Sequence, residues 1–133
     1  MIINKITLKN FFRYGNNEQT LDISGSGITG ITGLNGYGKS SCIIDSLLFA
    51  FYGKYRTDTI DGIVNRYIGK DCKVGVEFIV DNENYKVLRY RKHTTHNNNI
   101  YLFKGDKDIS GHTASETNNL IIDLIKMPYI AFI

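Results

Sequence analysis

Apolar residues Ile3, Ile6 and Leu8 alternate imperfectly with polar ones and give way to Asn10 and the pair Phe11-Phe12, the pattern of a half-buried strand. Arg13-Tyr14-Gly15-Asn16-Asn17 is a turn-forming cluster. Gln19 to Ile23 reads as a second short strand with Leu21 and Ile23 inward, so the two predict a hairpin. Gly25-Ser26-Gly27 breaks the chain, Ile28 to Thr32 is a short β-branched run of buried-strand type, and glycines return at Gly33, Gly36 and Gly38. From Lys39 the period changes from two to 3.6: Ile43, Ile44, Leu47, Leu48 and Phe51 describe an amphipathic helix that ends at Gly53, a carboxyl-terminal cap.

A polar connection runs from Arg56 to Arg66. Val74 to Val80 and Tyr85 to Arg91 flank Asp81-Asn82-Glu83-Asn84, which predicts a second hairpin with a four-residue turn. Ile100 to Phe103 is a further strand. Thr113 with Glu116 three positions later forms a capping box, so a second helix should run to about Lys126 and stop before Pro128. The final Tyr129-Ile130-Ala131-Phe132-Ile133 is apolar and uncharged, an odd surface terminus for a finished domain, and sets the expectation of a truncated lobe. No repeat or low-complexity tract is visible.

Composition narrows the class. With 133 residues, 42% hydrophobic, 12% aromatic and 22% charged, the chain has the usage of one globular domain or lobe, not of a disordered or fibrous protein. No run of about 18 apolar residues occurs, and the amino terminus lacks a basic segment followed by a long apolar one, so a soluble cytoplasmic protein with no membrane partner is expected. Cys42 and Cys72 form no CxxC pair and define neither a disulfide framework nor a zinc site; Cys42 reads as a packing residue.

The net charge of +3 is modest, but it is unevenly spread. Between Tyr85 and Lys107, Lys86, Arg89, Arg91, Lys92, Lys104 and Lys107 stand against Asp106 alone. Such residues could neutralise DNA phosphates. Period two, however, puts Lys86, Leu88, Tyr90 and Lys92 on one face and Val87, Arg89 and Arg91 on the other, so a solvated hairpin explains the charges equally well. Tyr90 and Tyr101 fit cross-strand packing better than base stacking. His93, His96 and His112 have no ligand spacing, and a solvated loop is the favoured reading of the first two.

The chemistry lies in Gly33-Leu34-Asn35-Gly36-Tyr37-Gly38-Lys39-Ser40, which matches the phosphate-binding pattern GxxxxGK[ST] between a predicted strand and a predicted helix. Glycines let successive N–H groups turn inward around a β-phosphate, and the helix beginning near Lys39 adds the positive end of its dipole. Lys39 would reach the β- and γ-phosphates, and the Ser40 hydroxyl would ligate the bridging Mg2+. The expected nucleotide site comprises Asn35, Gly36, Tyr37, Gly38, Lys39, Ser40 and Ser41.

Ile6-Thr7-Leu8-Lys9-Asn10-Phe11, Gly30-Ile31-Thr32-Gly33-Leu34-Asn35-Gly36, Gly38-Lys39-Ser40-Ser41 with Ile43-Ile44-Asp45, and Phe51-Tyr52-Gly53 together resemble the amino-terminal ATPase lobe of the SMC-like family. The likeness is greatest to the ATPase subunit of double-strand-break repair exonuclease complexes of the SbcCD type, including its bacteriophage recombination version. Leu124-Ile125-Lys126-Met127-Pro128-Tyr129 with Phe132 looks like the approach to that family's Q-loop.

The resemblance implies an α/β P-loop NTPase of ABC/SMC type with an antiparallel β subdomain, residues 1–133 being the amino-terminal lobe before the Q-loop and coiled coil. It also implies an ATPase that uses ATP and Mg2+, pairs with a second copy of its head, acts on double-stranded DNA and gates a nuclease subunit. The alternative is an SMC-like clamp or tether without a nuclease. No LSGG-like signature and no Walker B acidic pair occur, so the lobe alone should turn over negligibly. Tyr37 replaces a small residue between the last two loop glycines, and Arg13 is displaced by one position from the family's opening pattern. Arg13 is either a nucleotide contact or a turn arginine. Arg56 is either a charge near the γ-phosphate or a solvated loop arginine. An ion pair is the favoured role for Asp45.

Overall fold

The computed structural model describes residues 2–22 and 39–125. The expected strand Ile28–Thr32, the glycine loop up to Gly38 and the terminal apolar segment lie outside the described residues. Six strands form one antiparallel sheet: β1 (Ile2–Lys9), β2 (Gln19–Asp22), β3 (Cys72–Val80), β4 (Glu83–Arg91), β5 (Ile100–Lys104) and β6 (Lys107–Asp108), in the order β2-β1-β3-β4-β5-β6. Helices α1 (Lys39–Tyr52) and α2 (Ala114–Ile125) cover one face, α1 over β1, β3 and β4, and α2 over β5 and beside α1.

The imperfect alternation of β1 has a local cause. Ile3 faces Phe78 and Lys5 faces Glu77, so Asn4 is an extra residue against β3, a bulge that returns Ile3, Ile6 and Leu8 to one face. All three are fully buried there with Val74, Val76, Phe78, Val87 and Leu102. The β1–β2 hairpin forms as its pattern predicts, with Ile6 opposite Leu21.

The turn between β3 and β4 is shorter than four residues. Val80 pairs with Glu83, leaving Asp81 and Asn82 alone at the tip with φ of 51° and 64°. Two left-handed residues make a type I′ turn, whose twist matches the flanking strands, and Asp and Asn tolerate that conformation better than most side chains. The two-residue strand β6 was not signalled by any apolar pattern; it pairs with Phe103 and Lys104, beside the positive-φ turn residue Gly105.

Helix α1 is more buried than an amphipathic stripe requires, because Phe49, Ala50 and Tyr52 are enclosed along with Leu47, Leu48 and Phe51. Phe51 meets Phe78 of β3 edge to face at 5.2 Å. Gly53 ends the helix at φ 65°, its N–H donating to the Phe49 carbonyl at 2.8 Å, the left-handed cap expected of this glycine. At α2 the Glu116 N–H donates to Thr113 Oγ1 at 3.1 Å, while the Glu116 carboxylate accepts from the N–H of His112 at 2.8 Å. The box therefore closes one residue earlier than its usual form.

Candidate nucleotide-binding site

Helix α1 opens at Lys39, the residue that follows the last glycine of the GxxxxGK[ST] run. The first N–H groups of a helix have no intrahelical acceptor, so α1 presents a row of donors and a partial positive charge where the glycine loop meets it. Ser40 and Ser41 lie in that first turn; Asn35, Gly36, Tyr37 and Gly38 lie outside the described residues.

The far end of α1 is fixed by a half-buried cation. Arg89 of β4 donates from Nε to the Ala50 carbonyl at 3.2 Å and from Nη2 to Asn118 Oδ1 of α2 at 2.5 Å, and its guanidinium lies 5.7 Å from the centroid of the Phe49 ring. Burial pushes its pKa down to about 10. Its charge is solvated by a helix-terminal carbonyl, an amide and a ring face. A Cβ on Gly53 would lie 2.7 Å from Arg89 Nη1, so a side chain here would have to displace the guanidinium as well as adopt a left-handed backbone.

The cations of the basic hairpin are thus divided between two faces, and Arg89 is half-buried against the helices. Arg91, on the same face, donates from Nε to Asp61 Oδ1 at 2.8 Å. Lys86 lies over the Phe103 ring at 5.0 Å on the opposite face. Beyond the hairpin, His93 and His96 are half-buried, not simply solvated. His96 stacks on Tyr90 at 4.3 Å and His93 meets the same ring edge-on at 4.8 Å. Tyr90 and Tyr101 pack across the strands at 5.9 Å. Among the described residues no cluster of three or more metal-ligating side chains occurs. Cys72 is a buried free thiol pushed up to about 12 by burial, an inert packing residue.

Arg56 folds back on α1, its Nε donating to Asp45 Oδ1 at 2.5 Å, which raises the arginine pKa further. Asp45 lies six positions after Lys39, roughly 9 Å along the helix axis. The ion pair expected of Asp45 is therefore present, and it carries Arg56 alongside the amino-terminal half of the helix. Arg13 is exposed in the loop after β1, 5.9 Å from the ring of Tyr14.

That loop is strapped to the segment following Arg56. A 3-10 turn (Ile60–Ile63) leads to an isolated antiparallel bridge between Phe11 and Val64, and the Phe12 N–H donates to the Ile63 carbonyl at 2.7 Å. One ten-residue stretch, 56 to 65, thus carries one candidate arginine and holds the loop of the other. The sequence gives no warning of Asn65, whose partner Tyr14 lies 51 positions away. Arg89 did leave a signal, its shared parity with Val87.

A family model described as an AAA domain matches residues 5–132. The chain is 37% identical over 89 residues to the DNA double-strand break repair Rad50 ATPase of Thermoplasma acidophilum, an alignment covering 67% of this chain and 9% of that protein. The chain therefore spans about a tenth of the length of that curated relative. Among solved structures, one from work headed "Structural biochemistry of ATP-driven dimerization and DNA stimulated activation of SMC ATPases" superimposes with a TM-score of 0.59 at 21% identity, covering 95% of this chain and 78% of that one. An SMC head bound to the C-terminal winged-helix domain of ScpA gives 0.56 at 18% identity, covering 95% and 40%. At these identities the two structures establish the fold. The chain belongs to the AAA domain family, and its α/β fold is that of the P-loop ATPase head of SMC and Rad50 proteins, of the ABC type, with an antiparallel β subdomain.

Proposed function

We propose that this chain is the ATP-binding lobe of a DNA repair and recombination ATPase that gates a partner nuclease on DNA ends. The observation that carries the reading is the start of α1 at Lys39, directly after the glycine run, with the helix clamped at its other end by Arg89. In this reading the backbone of Asn35, Gly36, Tyr37 and Gly38 cradles the β-phosphate. Lys39 reaches the β- and γ-phosphates, Ser40 ligates Mg2+, Ser41 completes the first turn, and Arg13 and Arg56 approach the nucleotide from the sides. ATP with Mg2+ supplies the energy of head closure; two copies close on two nucleotides over double-stranded DNA, and the nuclease subunit reads the closure. Support comes from the relative named as a double-strand break repair ATPase and from the neighbour whose work describes ATP-driven dimerization and DNA-stimulated activation.

Residues 1–133 then form one lobe of a split head that continues towards a Q-loop and coiled coil, as in the exonuclease-complex type and its bacteriophage version. The signature and Walker B groups that position water come from the other lobe. The second reading, an SMC-like clamp without a nuclease, is favoured by the neighbour whose head binds a winged-helix domain. Co-purification of a metallophosphatase-like nuclease with the natural gene product decides for the first; stable DNA entrapment without one decides for the second. The ATP site itself is tested by calorimetric titration of ATP–Mg into the full-length protein. Lys39→Ala should abolish binding, and unchanged affinity would overturn the reading.

A further inference from the structure

The loop that presents Arg13 is built at a cost. Asn10 and Phe12, both on its amino-terminal side, have φ of 51°. For a phenylalanine the left-handed region costs about 1–2 kcal/mol and is held only where the surroundings over-determine it. Asn10 Oδ1 is in addition buried with no hydrogen-bond partner, a second cost in the same few residues.

The strain is held partly from within, by Asn10 N–H to the Gly15 carbonyl at 2.9 Å and Tyr14 N–H to the Phe11 carbonyl at 2.9 Å. The rest is held from outside. Asn65, only 5% exposed, donates its N–H to the Asn10 carbonyl at 2.8 Å and its Nδ2 to the Tyr14 carbonyl at 3.3 Å. Its Oδ1 is fixed in turn by the N–H groups of Tyr67 at 3.0 Å and Ile68 at 3.2 Å. Phe12 is gripped by Ile63 and Tyr14 by Asn65, so both chain neighbours of Arg13 are held by one segment, while the guanidinium itself stays exposed.

We propose that Asn65 is the positioning residue for Arg13: its side chain, holding Tyr14 beside the main-chain bond to Asn10, fixes the direction in which the Arg13 guanidinium meets a nucleotide. This rests on the reading of Arg13 as a nucleotide contact. A residue that fixes a binding group preorganises the site and reduces the ordering to be done when the ligand arrives. Loss of the clamp should weaken nucleotide binding without touching the phosphate loop.

The test is a double-mutant cycle on ATP–Mg affinity in the full-length protein, with Asn65→Ala and Arg13→Ala singly and together, and Asn65→Asp as a variant that keeps the Oδ1 acceptor and turns the donor to Tyr14 into a carboxylate oxygen that repels the Tyr14 carbonyl. Each single variant should weaken binding about five- to tenfold, and the double variant no more than Arg13→Ala alone. Losses that multiply would show that Asn65 acts on the fold at large, and wild-type affinity in Asn65→Asp or in Arg13→Ala would equally overturn the proposal. Lys39→Ala in the same series separates the levels. If it abolishes binding while the Asn65 variants bind normally, only the positioning role fails; if it binds normally, the ATP site itself is wrong.

Discussion

The two faces of β4 carry cations under opposite rules. On the helix side Arg89 is half-buried, bonded to the Ala50 carbonyl and Asn118, and the row around it is aliphatic: Val74 opposite on β3 and Ile100 opposite on β5. On the outer side Lys86 stands in a charged row, with Glu77 opposite on β3, Lys5 beyond it on β1, and Phe103 beneath its ammonium. Three positions separate the two residues. Parity along the strand, not charge, decides which one organises the core and which remains at the surface.

If stability resides on the helix side, aromatic truncations on the two faces must differ most of all. Phe78→Ala removes a fully buried ring packed on Phe51 and should cost about 3–5 kcal/mol in urea unfolding. Phe103→Ala, which removes a half-buried ring from the outer face, should cost less than about 2 kcal/mol. Equal costs would break the comparison.

The cations themselves should separate next. Arg89→Leu removes the partner of the half-buried Asn118 Oδ1 and of the Ala50 carbonyl and should destabilise by about 1–2 kcal/mol, whereas Lys86→Ala should change stability by about 0.5 kcal/mol or less. Combining Arg89→Leu with Asn118→Leu removes both polar partners, and by the same reasoning should recover part of the loss. No recovery would mean that the Ala50 carbonyl at the end of α1 carries most of the cost.

Much of this was legible in the sequence for reasons that are local. Ile43 to Phe51 give α1 its period, Gly53 its cap, Thr113 and Glu116 their box, and parity along β4 separates Lys86 from Val87 and Arg89. The rest depends on partners distant in the chain. The bulge at Asn4 exists because β1 must match β3, about seventy residues later. Asp81-Asn82 becomes a two-residue turn because the β3–β4 register demands it, and the same local pattern also accommodated four residues. Asn65 lies in a polar connection where any residue would pass as loop, and its importance arises only when the chain brings it to Tyr14. The glycine run declared its chemistry through its spacing, but the strap that holds Arg13 leaves no periodic trace.

The smallest expected effect sharpens the comparison at the outer edge of the sheet. His93 Nδ1 accepts from the N–H groups of Thr95 and His96, both at 3.1 Å, so that nitrogen must be unprotonated while the loop over Tyr90 is closed. Burial, followed by the positive surroundings of His96, Lys9 and Lys73, holds its pKa below the ordinary 6.5, while Asp71 opposes the shift. The folded protein therefore binds the proton less readily than the unfolded chain. The loop's contribution is complete above pH 6.5 and declines as pH falls from there through the folded value. Protection factors of the Thr95 and His96 amides should drop between about pH 7 and pH 5, while the Val76 and Val87 amides on the helix side keep theirs. If the two loop amides hold their protection down to pH 5, the Nδ1 acceptor does not close the loop, and the loop owes its order to the Tyr90 stacking, the His93–Asn97 bridge and the Thr94–Asp71 bonds.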